Sequence, residues 1–421
     1  MFGINRDLLF EKLSPMMKSF IGKQKENIET LPPPDENLLE HKLRYVNSLD
    51  FSHEDLRLNQ KVLGAQNREP LRTLNWFIPN PTHILYGGIY TILRFAHYFQ
   101  KNAGIQNRLI FCGGEDQADE RKRQISAEFE GLDQAEFFSY DGNLDRLPSC
   151  DATIATLWNT CYLSVKFQRT KKKFYFIQDY ESLFSAAGSV HSALAEATYR
   201  LGFRGIVNTP GLYDFLVAQH GLEGRSFHPC VDPLIYHINR QDVEKKLQRG
   251  LTRIVFYGRP NKDRNAFEIG LASLLKVKAR YQDQVEILSV GDDWRENDYG
   301  VEGRIKNLGR IGSFSEVADV YRQSDIGAVM MFTKHPSYQP FEFMASACAV
   351  VSNVNDANAW FLKDGENCLI SEPTPSCFAE RISELVDDRN LRERLVSNGL
   401  VAVSRHSWDG ECAAIAKYIN A

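Results

Sequence analysis

Short, continuous apolar segments alternate with helical segments along most of this sequence, and this alternation constrains the fold more than any other feature. From Leu71 onward, apolar runs of about four to eight residues are separated by helical patterns and turn residues. Strands are expected at TLNWFIP, NRLIFCG, AEFFSY, DATIATLW, KFYFIQD and GIVNT. Helices are expected after Gly88, near Asn159, near Val190 and after Pro210. Because continuous apolar strands that alternate with helices are typical of a parallel sheet covered on both faces, residues 71–230 are predicted to form one α/β domain.

A second alternation begins after a polar segment, residues 231–250, which is interpreted as an interdomain linker. Strands are expected at TRIVFYG, QVEILSVG, IKNLG, IGAVMMF, AVVSNV and NCLISE, and helices from Asn265, Ser315, Pro340, Ser376 and Asn390. Residues 251–421 are therefore predicted to form a second domain, whose last helix is a candidate for crossing back to the first. The predicted fold class is α/β, with two doubly wound Rossmann-like domains that face each other across a cleft. Ligands of such sheets bind at the carboxyl ends of the strands.

Residues 1–70 differ from the rest of the chain, because they are charged, poor in β-branched residues and interrupted by three consecutive prolines. A mainly helical N-terminal extension is expected there. Within residues 1–25, apolar side chains recur at helical spacing and basic residues outnumber acidic ones. A basic amphipathic helix of this kind binds anionic membrane surfaces. The alternative is a helix that packs on the protein itself or on the second subunit of a homodimer.

Composition excludes several classes of protein. A length of 421 residues suits two domains, and a net charge of -4 gives no general affinity for nucleic acid, so no nucleic-acid partner is expected. The eight cysteines form no CxxC pair and no His/Cys cluster of zinc-site spacing, which argues against a structural metal and a disulfide scaffold. Neither a signal peptide nor a membrane-spanning run is recognisable. A cytoplasmic location is expected, with peripheral binding to the inner face of the membrane as the alternative.

Three cations follow the first strand of the second domain. This strand ends at Gly258, and Arg259, Lys262 and Arg264 lie in the connection to the next helix. A guanidinium group matches two phosphate oxygens at once and keeps its charge at any working pH. The arginines are therefore predicted to hold one diphosphate at this edge of the sheet, with Lys262 beside them. A solvated basic loop is the alternative.

The stretch HPSYQPFEFMASACAVVSNV offers a second binding element. Pro340 suits the first turn of a helix, and the free N–H groups of a helix start attract anions. Glu342, in the first turn, is predicted to accept hydrogen bonds from a pair of sugar hydroxyls. A favourable interaction with the helix dipole is the alternative role of this carboxylate. Ser337 and Tyr338, directly before the helix, are further candidates for substrate binding.

Two glycines and a polar cluster are the candidates in the first domain. Gly87 and Gly88 lie between the first strand and its helix, where glycine lets a ligand approach the backbone, although a tight turn needs glycine too. Gln178, Asp179 and Glu181 follow the strand in FYFIQDYE, at a carboxyl edge. Asp179 or Glu181 is predicted to orient or deprotonate an acceptor hydroxyl. Capping of a helix is the alternative for both acids.

Several familiar nucleotide and metal motifs are missing from this sequence. It contains neither GxGxxG nor GxxxxGK[ST], which disfavours a dinucleotide site of the dehydrogenase type and P-loop phosphoryl transfer. No acidic pair of the DxD type lies near the cations. The pair Asp292 and Asp293 ends a different strand and is interpreted as a turn cap. Neither a metal nor a cofactor is therefore expected.

The stretches FYGRP, FIQDYE and HPSYQPFE make residues 71–370 similar to glycosyltransferases of the GT-B architecture, family 4. The similarity implies metal-independent transfer of a sugar from a nucleotide-diphosphate donor with retention. It points to rhamnose from dTDP-rhamnose and to a bacterial polysaccharide, as in S-layer rhamnan synthesis, with an oligosaccharide or lipid-linked glycan as acceptor. It further implies that Arg259 and Arg264 hold the diphosphate, that Glu342 binds the ribose, and that the Gly87 and Gly88 loop lies near the diphosphate and acceptor.

Two positions depart from the family pattern. Lys334 stands where the family often has a second glutamate, and the usual first-domain histidine is replaced around Gln178. Recognition of the sugar and the catalytic details therefore do not follow from the similarity. Two other classes stay open: a nucleotide-sugar epimerase or phosphorylase on the same fold, and a non-catalytic glycan-assembly protein.

Overall fold

The computed structural model describes residues 36–65, 67–81, 84, 87–114, 117–335 and 337–421. Contacts divide the chain into two units, one that ends at Ser52 and one that comprises His53–Ala421. The first unit contains helix α1 (Glu36–Ser48), in which Arg44 and Glu40 pair one turn apart. The basic amphipathic pattern predicted within residues 1–25 lies outside the described residues. Within the described ranges, no helix is both long enough and apolar enough to span a membrane.

The second unit begins with helix α2 (His53–Gly64) and a parallel sheet with its covering helices. The strands of this sheet are β1 (Thr73–Pro79), β2 (Gln106–Cys112), β3 (Glu136–Tyr140), β4 (Ala152–Ala155), β5 (Lys172–Ile177), β6 (Arg204–Asn208) and β7 (Gly224–Phe227). The helices between them are α3 (Gly87–Asn102), α4 (Ala118–Glu128), α5 (Trp158–Lys166), α6 (Val190–Thr198) and α7 (Pro210–His220). Helix α8 (Arg240–Gln248) leads from this sheet to the next one.

A second parallel sheet follows. Its strands are β8 (Thr252–Gly258), β9 (Val285–Gly291), β10 (Lys306–Asn307), β11 (Ile326–Ala328), β12 (Ala349–Asn353) and β13 (Leu369–Ser371). Its helices are α9 (Phe267–Tyr281), α10 (Phe314–Arg322), α11 (Gln339–Ala345), α12 (Pro375–Asp387) and α13 (Arg389–Val403), and α14 (Trp408–Asn420) ends the chain.

Both sheets have the same doubly wound topology. Their strand orders are β3-β2-β1-β4-β5-β6-β7 and β10-β9-β8-β11-β12-β13, and the neighbouring strands are parallel. The strand order reverses between β1 and β4 in the first sheet and between β8 and β11 in the second. Ligands of open α/β sheets bind at such reversals, outside the carboxyl ends of the strands. The predicted fold class of two doubly wound parallel sheets is confirmed.

Two strands differ from the sequence prediction. Strand β7 was not predicted, because GRSF lacks an apolar run. It lies at the edge of the sheet, where Gly224 of β7 pairs closely with Gly205 of β6. Strand β11 ends at Ala328 instead of continuing through IGAVMMF. Beyond it, the side chain of Asn353 replaces a backbone partner, because its Oδ1 accepts from the Met331 N–H at 2.8 Å and its Nδ2 donates to the Met331 carbonyl at 3.1 Å.

The last helix, α14, packs on the first sheet although it follows the second in sequence. Cys412, Ile415 and Ile419 of α14 belong to the same buried cluster as Trp76 and Phe95. At the end of the helix, the side chain of Asn420 accepts a hydrogen bond of 2.8 Å from the Leu71 N–H. The chain therefore crosses between the two sheets a second time near its end.

Helix α2 lies within the residues that the sequence assigns to the extension, and a buried lysine fastens it to the first sheet. Lys173 in β5 is 1% exposed, and burial lowers the pKa of its ammonium to about 7. It donates to Asn59 Oδ1 at 2.9 Å and to the Ser164 and Val165 carbonyls at 2.6 and 3.1 Å. Asn59 Nδ2 in turn donates to the Leu201 carbonyl at 3.1 Å. The Asn59 side chain therefore hydrogen-bonds both the Lys173 ammonium of β5 and the backbone carbonyl of Leu201.

We expect Asn59→Ala to lower the free energy of unfolding by about 1 to 3 kcal/mol, because it leaves the buried Lys173 ammonium with one acceptor fewer. Arg57→Ala is the matched control, since Arg57 lies on the same helix in an exposed pair with Glu54. The measurement is urea unfolding followed by circular dichroism. Equal unfolding midpoints for the two variants would contradict the anchoring role of Asn59.

Candidate functional site

A cavity of about 650 Å³ lies at the carboxyl ends of both sheets. Its walls include residues beyond the strands at the two strand-order reversals: Thr156 directly after β4, and Met331 three residues after the end of β11. Every site residue predicted from the sequence lines this one cavity: Gly87, Gly88, Gln178, Asp179, Glu181, Arg259, Lys262, Arg264, Ser337, Tyr338 and Glu342. Fold topology therefore brings together residues that are far apart in the sequence.

Arg259 is held in the cavity wall by Asp292. Its Nε lies 3.3 Å from Asp292 Oδ2, and its Nη1 lies 3.3 Å from the Tyr257 hydroxyl. Gly291 makes room for this side chain: it has φ +135°, and a Cβ there would lie 2.9 Å from Arg259 Cγ. Asp292 also accepts from Arg310 Nη2 at 3.3 Å. One buried carboxylate therefore orients two guanidinium groups.

Arg310 is a cavity residue that the sequence interpretation missed. It directly follows the predicted strand IKNLG, at the carboxyl edge of the second sheet. This position after a strand is the sequence feature that could have identified it as a site residue. The neighbouring Asp293 accepts from the Arg310 N–H at 2.9 Å. The pair interpreted as a turn cap thus has two roles, because Asp293 binds the turn backbone whereas Asp292 binds arginine side chains.

Arg264, in the second domain, forms an ion pair with Asp179 of the first domain. Its Nη1 lies 3.7 Å from Asp179 Oδ2, and the Thr333 hydroxyl donates to the same oxygen at 2.7 Å. Burial raises the pKa of the Asp179 carboxyl to about 6, although the Thr333 hydrogen bond and the Arg264 charge oppose this shift. Arg264 Nε is buried and has no hydrogen-bond partner among the residues that the structure describes. The guanidinium therefore retains an unused donor.

Glu342 lies on the short helix α11, which has only seven residues. Burial raises the pKa of its carboxyl to about 7. Close to neutral pH this group therefore changes charge easily. The arginines that line the cavity with it carry full positive charges.

Tyr338 and Gln178 pack beside Gly87 and Gly88, which form the start of α3 itself. The Tyr338 hydroxyl lies 2.8 Å from Thr91 Oγ1 and accepts from Asn208 Nδ2 at 3.0 Å, so it joins the second domain to the first. A Cβ at Gly87 would lie 3.6 Å from the Tyr338 ring, and one at Gly88 would lie 3.3 Å from Gln178 Nε2. Gln178 Nε2 also donates to the Gly88 carbonyl at 2.9 Å.

Ser337 adopts a strained backbone conformation beside a neutral histidine. Its φ of 62° lies in the left-handed region, which is unusual for a residue with a Cβ and clusters at functional sites. The Ser337 N–H donates to His335 Nδ1 at 2.9 Å. Burial, followed by the charge of Arg264, lowers the pKa of His335 to about 3. The ring is therefore neutral, with its proton on Nε2, and it lines the cavity as a donor that the sequence did not single out.

Glu181 and Lys334 serve mainly structural contacts. Glu181 is 3% exposed, and its Oε2 accepts from the Trp158 N–H at 2.5 Å and from the Tyr175 hydroxyl at 2.8 Å. It therefore caps helix α5, which is the alternative that the sequence left open, and burial raises its pKa to about 8. The Lys334 ammonium lies 5.2 Å from the centre of the Phe215 ring.

Some buried polar atoms in the cavity wall lack a hydrogen-bond partner among the described residues. Within the described part of the chain, no hydrogen-bond partner exists for these atoms of lining residues: Arg94 Nε, Gln178 Oε1, Arg264 Nε and Asn265 Oδ1. Buried polar groups in folded proteins are nearly always hydrogen-bonded, so these atoms indicate a polar ligand or water. Over the same described residues, no three converging His, Cys, Asp or Glu side chains line the cavity as a metal site would require.

The chain is similar to several known proteins. Residues 252–383 match the family model of WsaF, C-terminal domain. The O-antigen biosynthesis protein RfbC of Myxococcus xanthus is 39% identical over 389 residues, which is 90% of this chain and 30% of that protein. The chain spans less than half of the length of the curated relatives it matches.

Two solved structures share the architecture of most of this chain. Sucrose-phosphate synthase of Thermosynechococcus elongatus has a TM-score of 0.64 at 12% identity, over 83% of this chain and 98% of that one. HepE of Anabaena, solved in complex with UDP, has a TM-score of 0.63 at 15% identity, over 83% of this chain and 98% of that one. The chain has the GT-B fold and resembles WsaF. The similarity predicted from FYGRP, FIQDYE and HPSYQPFE is thereby confirmed.

The arrangement of cations predicts that the cavity binds a small polyanion. We expect Arg259→Ala and Arg264→Ala each to weaken the binding of inorganic pyrophosphate by about 1.5 to 3 kcal/mol, because each removes a charge-assisted hydrogen bond. Arg295→Ala is the matched control, since Arg295 lies in the same domain with a side chain that is 85% exposed. Equilibrium dialysis with labelled pyrophosphate measures the effect. Binding that is unchanged in both cavity variants would end this assignment.

Proposed function

We propose that this chain is a metal-independent, retaining glycosyltransferase that moves rhamnose from dTDP-rhamnose to a growing bacterial polysaccharide. The observation that carries the proposal is the pair Arg259 and Arg264, which line one cavity at the strand-order reversal of the second sheet. The WsaF model supports it, because it matches the domain that contains both arginines. RfbC, a protein named for O-antigen biosynthesis, supports the polysaccharide context.

The chemistry of transfer suits a site rich in fixed cations. As the bond between the sugar C1 and the diphosphate oxygen breaks, its electron pair stays on the diphosphate, and negative charge develops there. Hydrogen-bond donors that are already oriented stabilise this charge without reorganisation. Asp292 fixes Arg259 in this way before any ligand arrives. In this proposal the arginines supply the stabilisation that a divalent cation supplies in other transferases.

Asp179 is the proposed partner of the acceptor. A diphosphate offers Arg264 more negative charge than a single carboxylate, so donor binding is expected to draw Arg264 away from Asp179. With a pKa of about 6, Asp179 is ionised at neutral pH and able to accept a hydrogen bond from the acceptor hydroxyl. The proposed acceptor is an oligosaccharide or lipid-linked glycan. Peripheral membrane binding through residues 1–25 would suit a lipid-linked acceptor and belongs to the same proposal.

The direct test is a transfer assay with a panel of UDP-, GDP-, ADP- and dTDP-sugars. We expect dTDP-rhamnose to be the preferred donor, the product to retain the donor's anomeric configuration, and transfer to persist in excess EDTA. The product is identified by mass spectrometry and NMR. Loss of transfer in EDTA with rescue by Mn²⁺ or Mg²⁺ would overturn the metal-free mechanism. Conversion of the donor without an acceptor would indicate an epimerase instead.

Glu342 is proposed to bind the donor ribose, and its raised pKa makes this role testable. We expect Glu342→Gln to weaken dTDP binding by about 1 to 2 kcal/mol, with little change in kcat at saturating donor, because one charged hydrogen bond is lost in ground state and transition state alike. For the native chain, affinity should also rise as the pH increases through about 7, because the ionised carboxylate is the form that accepts both ribose hydroxyls.

The measurement is calorimetric titration of dTDP into the native chain and into Glu342→Gln between pH 6 and pH 8. Protonation of the nucleotide affects both proteins equally, so the difference between them reports the ionisation of Glu342. The pH dependence of the native chain should exceed that of the glutamine variant. Intact nucleotide binding with lost turnover in Glu342→Gln would instead assign Glu342 to the reacting sugar.

A further inference from the structure

Two histidines and a glutamate converge where the last helix crosses back to the first sheet. His228 directly follows β7, His406 lies two residues before α14, and Glu411 lies in the first turn of α14. His228 and Glu411 are 183 positions apart in the sequence, so no local spacing reveals the group. None of the three side chains lines the donor cavity.

The three side chains meet at a single oxygen atom. Glu411 Oε1 lies 3.1 Å from His228 Nδ1 and 3.0 Å from His406 Nδ1, and one ligand atom of each residue lies within 4.8 Å of the others. The two imidazole rings stack with centroids 3.7 Å apart. Two ligands of a tetrahedral zinc ion, each at about 2.0 to 2.1 Å, are about 3.3 Å apart, which is close to the two contacts of Glu411 Oε1. To bind one ion together, the two stacked rings would have to rotate away from each other.

The group is accessible to an ion from the solvent. The side chains are 30% exposed at His228, 37% at His406 and 15% at Glu411, so the group is open to solvent on one side. Two imidazoles and one carboxylate leave a fourth position for water, as in zinc sites with three protein ligands.

We propose that His228, His406 and Glu411 form a binding site for a divalent transition-metal ion, with Zn²⁺ as the best match to two nitrogen ligands and one oxygen ligand. Both imidazoles bind as neutral rings through Nδ1, with their protons on Nε2. The ion ties the end of β7 to the start of α14. Trp408, which follows His406 by two residues, is part of the donor cavity wall, so the proposed ion fixes one edge of that wall.

The proposed site bears on an expectation from the sequence. The absence of zinc-like spacing among the cysteines and histidines argued against a structural metal, but that argument covers only ligands that are close in sequence. Here the crossover of the chain, and not a local motif, assembles the ligands. The proposal is independent of the donor chemistry, because the arginine site and this group share no residue.

The test uses the full chain without a polyhistidine tag, freed of metal with a chelator and then titrated with Zn²⁺ and with Co²⁺. We expect one equivalent of Zn²⁺ to bind by calorimetry, the thermal midpoint to rise with Zn²⁺, and Co²⁺ to give the intense visible d–d absorption of a tetrahedral ion. His406→Asn should weaken Zn²⁺ binding by at least about tenfold, because it removes a ligand at an exposed position.

His237→Asn is the matched control, since His237 is an exposed histidine outside this group. It should bind Zn²⁺ like the native chain. The cobalt spectrum of the native chain needs no variant and so decides the matter even if His406→Asn fails to fold. Zn²⁺ binding that is equal in His406→Asn and the native chain, or a weak octahedral cobalt spectrum, would overturn the proposal.

Discussion

The guanidinium of Arg264 and the buried carboxylate of Asp179 lie 3.7 Å apart, and this ion pair joins the two domains of the GT-B fold inside the cavity. Asp179 follows a strand of the first sheet, and Arg264 follows a strand of the second. Burying one charge without the other would be strongly unfavourable. The Thr333 hydroxyl adds a hydrogen bond from the second domain to the same carboxylate. An anion that draws Arg264 away from Asp179 would change what Asp179 is able to bind.

The fold was largely predictable because its elements have a strong local signal. TLNWFIP and TRIVFYG are continuous apolar runs bounded by turn residues. Strands β1 and β8 of the structure have the same bounds as these two runs. Strand β7 was missed because its stability comes from close pairing with β6 at the sheet edge rather than from its own side chains. The early end of β11 was missed because it depends on a residue from another strand. Asn353 of β12 binds the Met331 backbone through its side chain, in place of a backbone hydrogen bond between the strands.

The candidate site was predictable wherever one connection carried several polar residues at a carboxyl edge. Arg259 and Arg264 share such a connection, and Asp179 follows a strand directly. Arg310 stands alone in its connection, and its orientation depends on Asp292 from another strand, so local sequence gave little indication of its role. Glu181 follows the same strand as Asp179 but turns to cap α5, because Trp158 and Tyr175 offer donors that only the folded chain brings near. Contacts between residues that are far apart in the sequence could not be predicted from local sequence patterns.

The central claim is that two arginines, and not a metal ion, hold a donor diphosphate between the two sheets. A crystal structure of the chain with dTDP bound tests this claim most directly. The account predicts diphosphate oxygens at about 2.7 to 2.9 Å from guanidinium nitrogens of Arg259 and Arg264, as in charge-assisted hydrogen bonds. It also predicts that Arg264 lies farther from Asp179 than the 3.7 Å seen without ligand. A diphosphate bound through a divalent ion to carboxylates, with Arg264 still paired to Asp179, would contradict it.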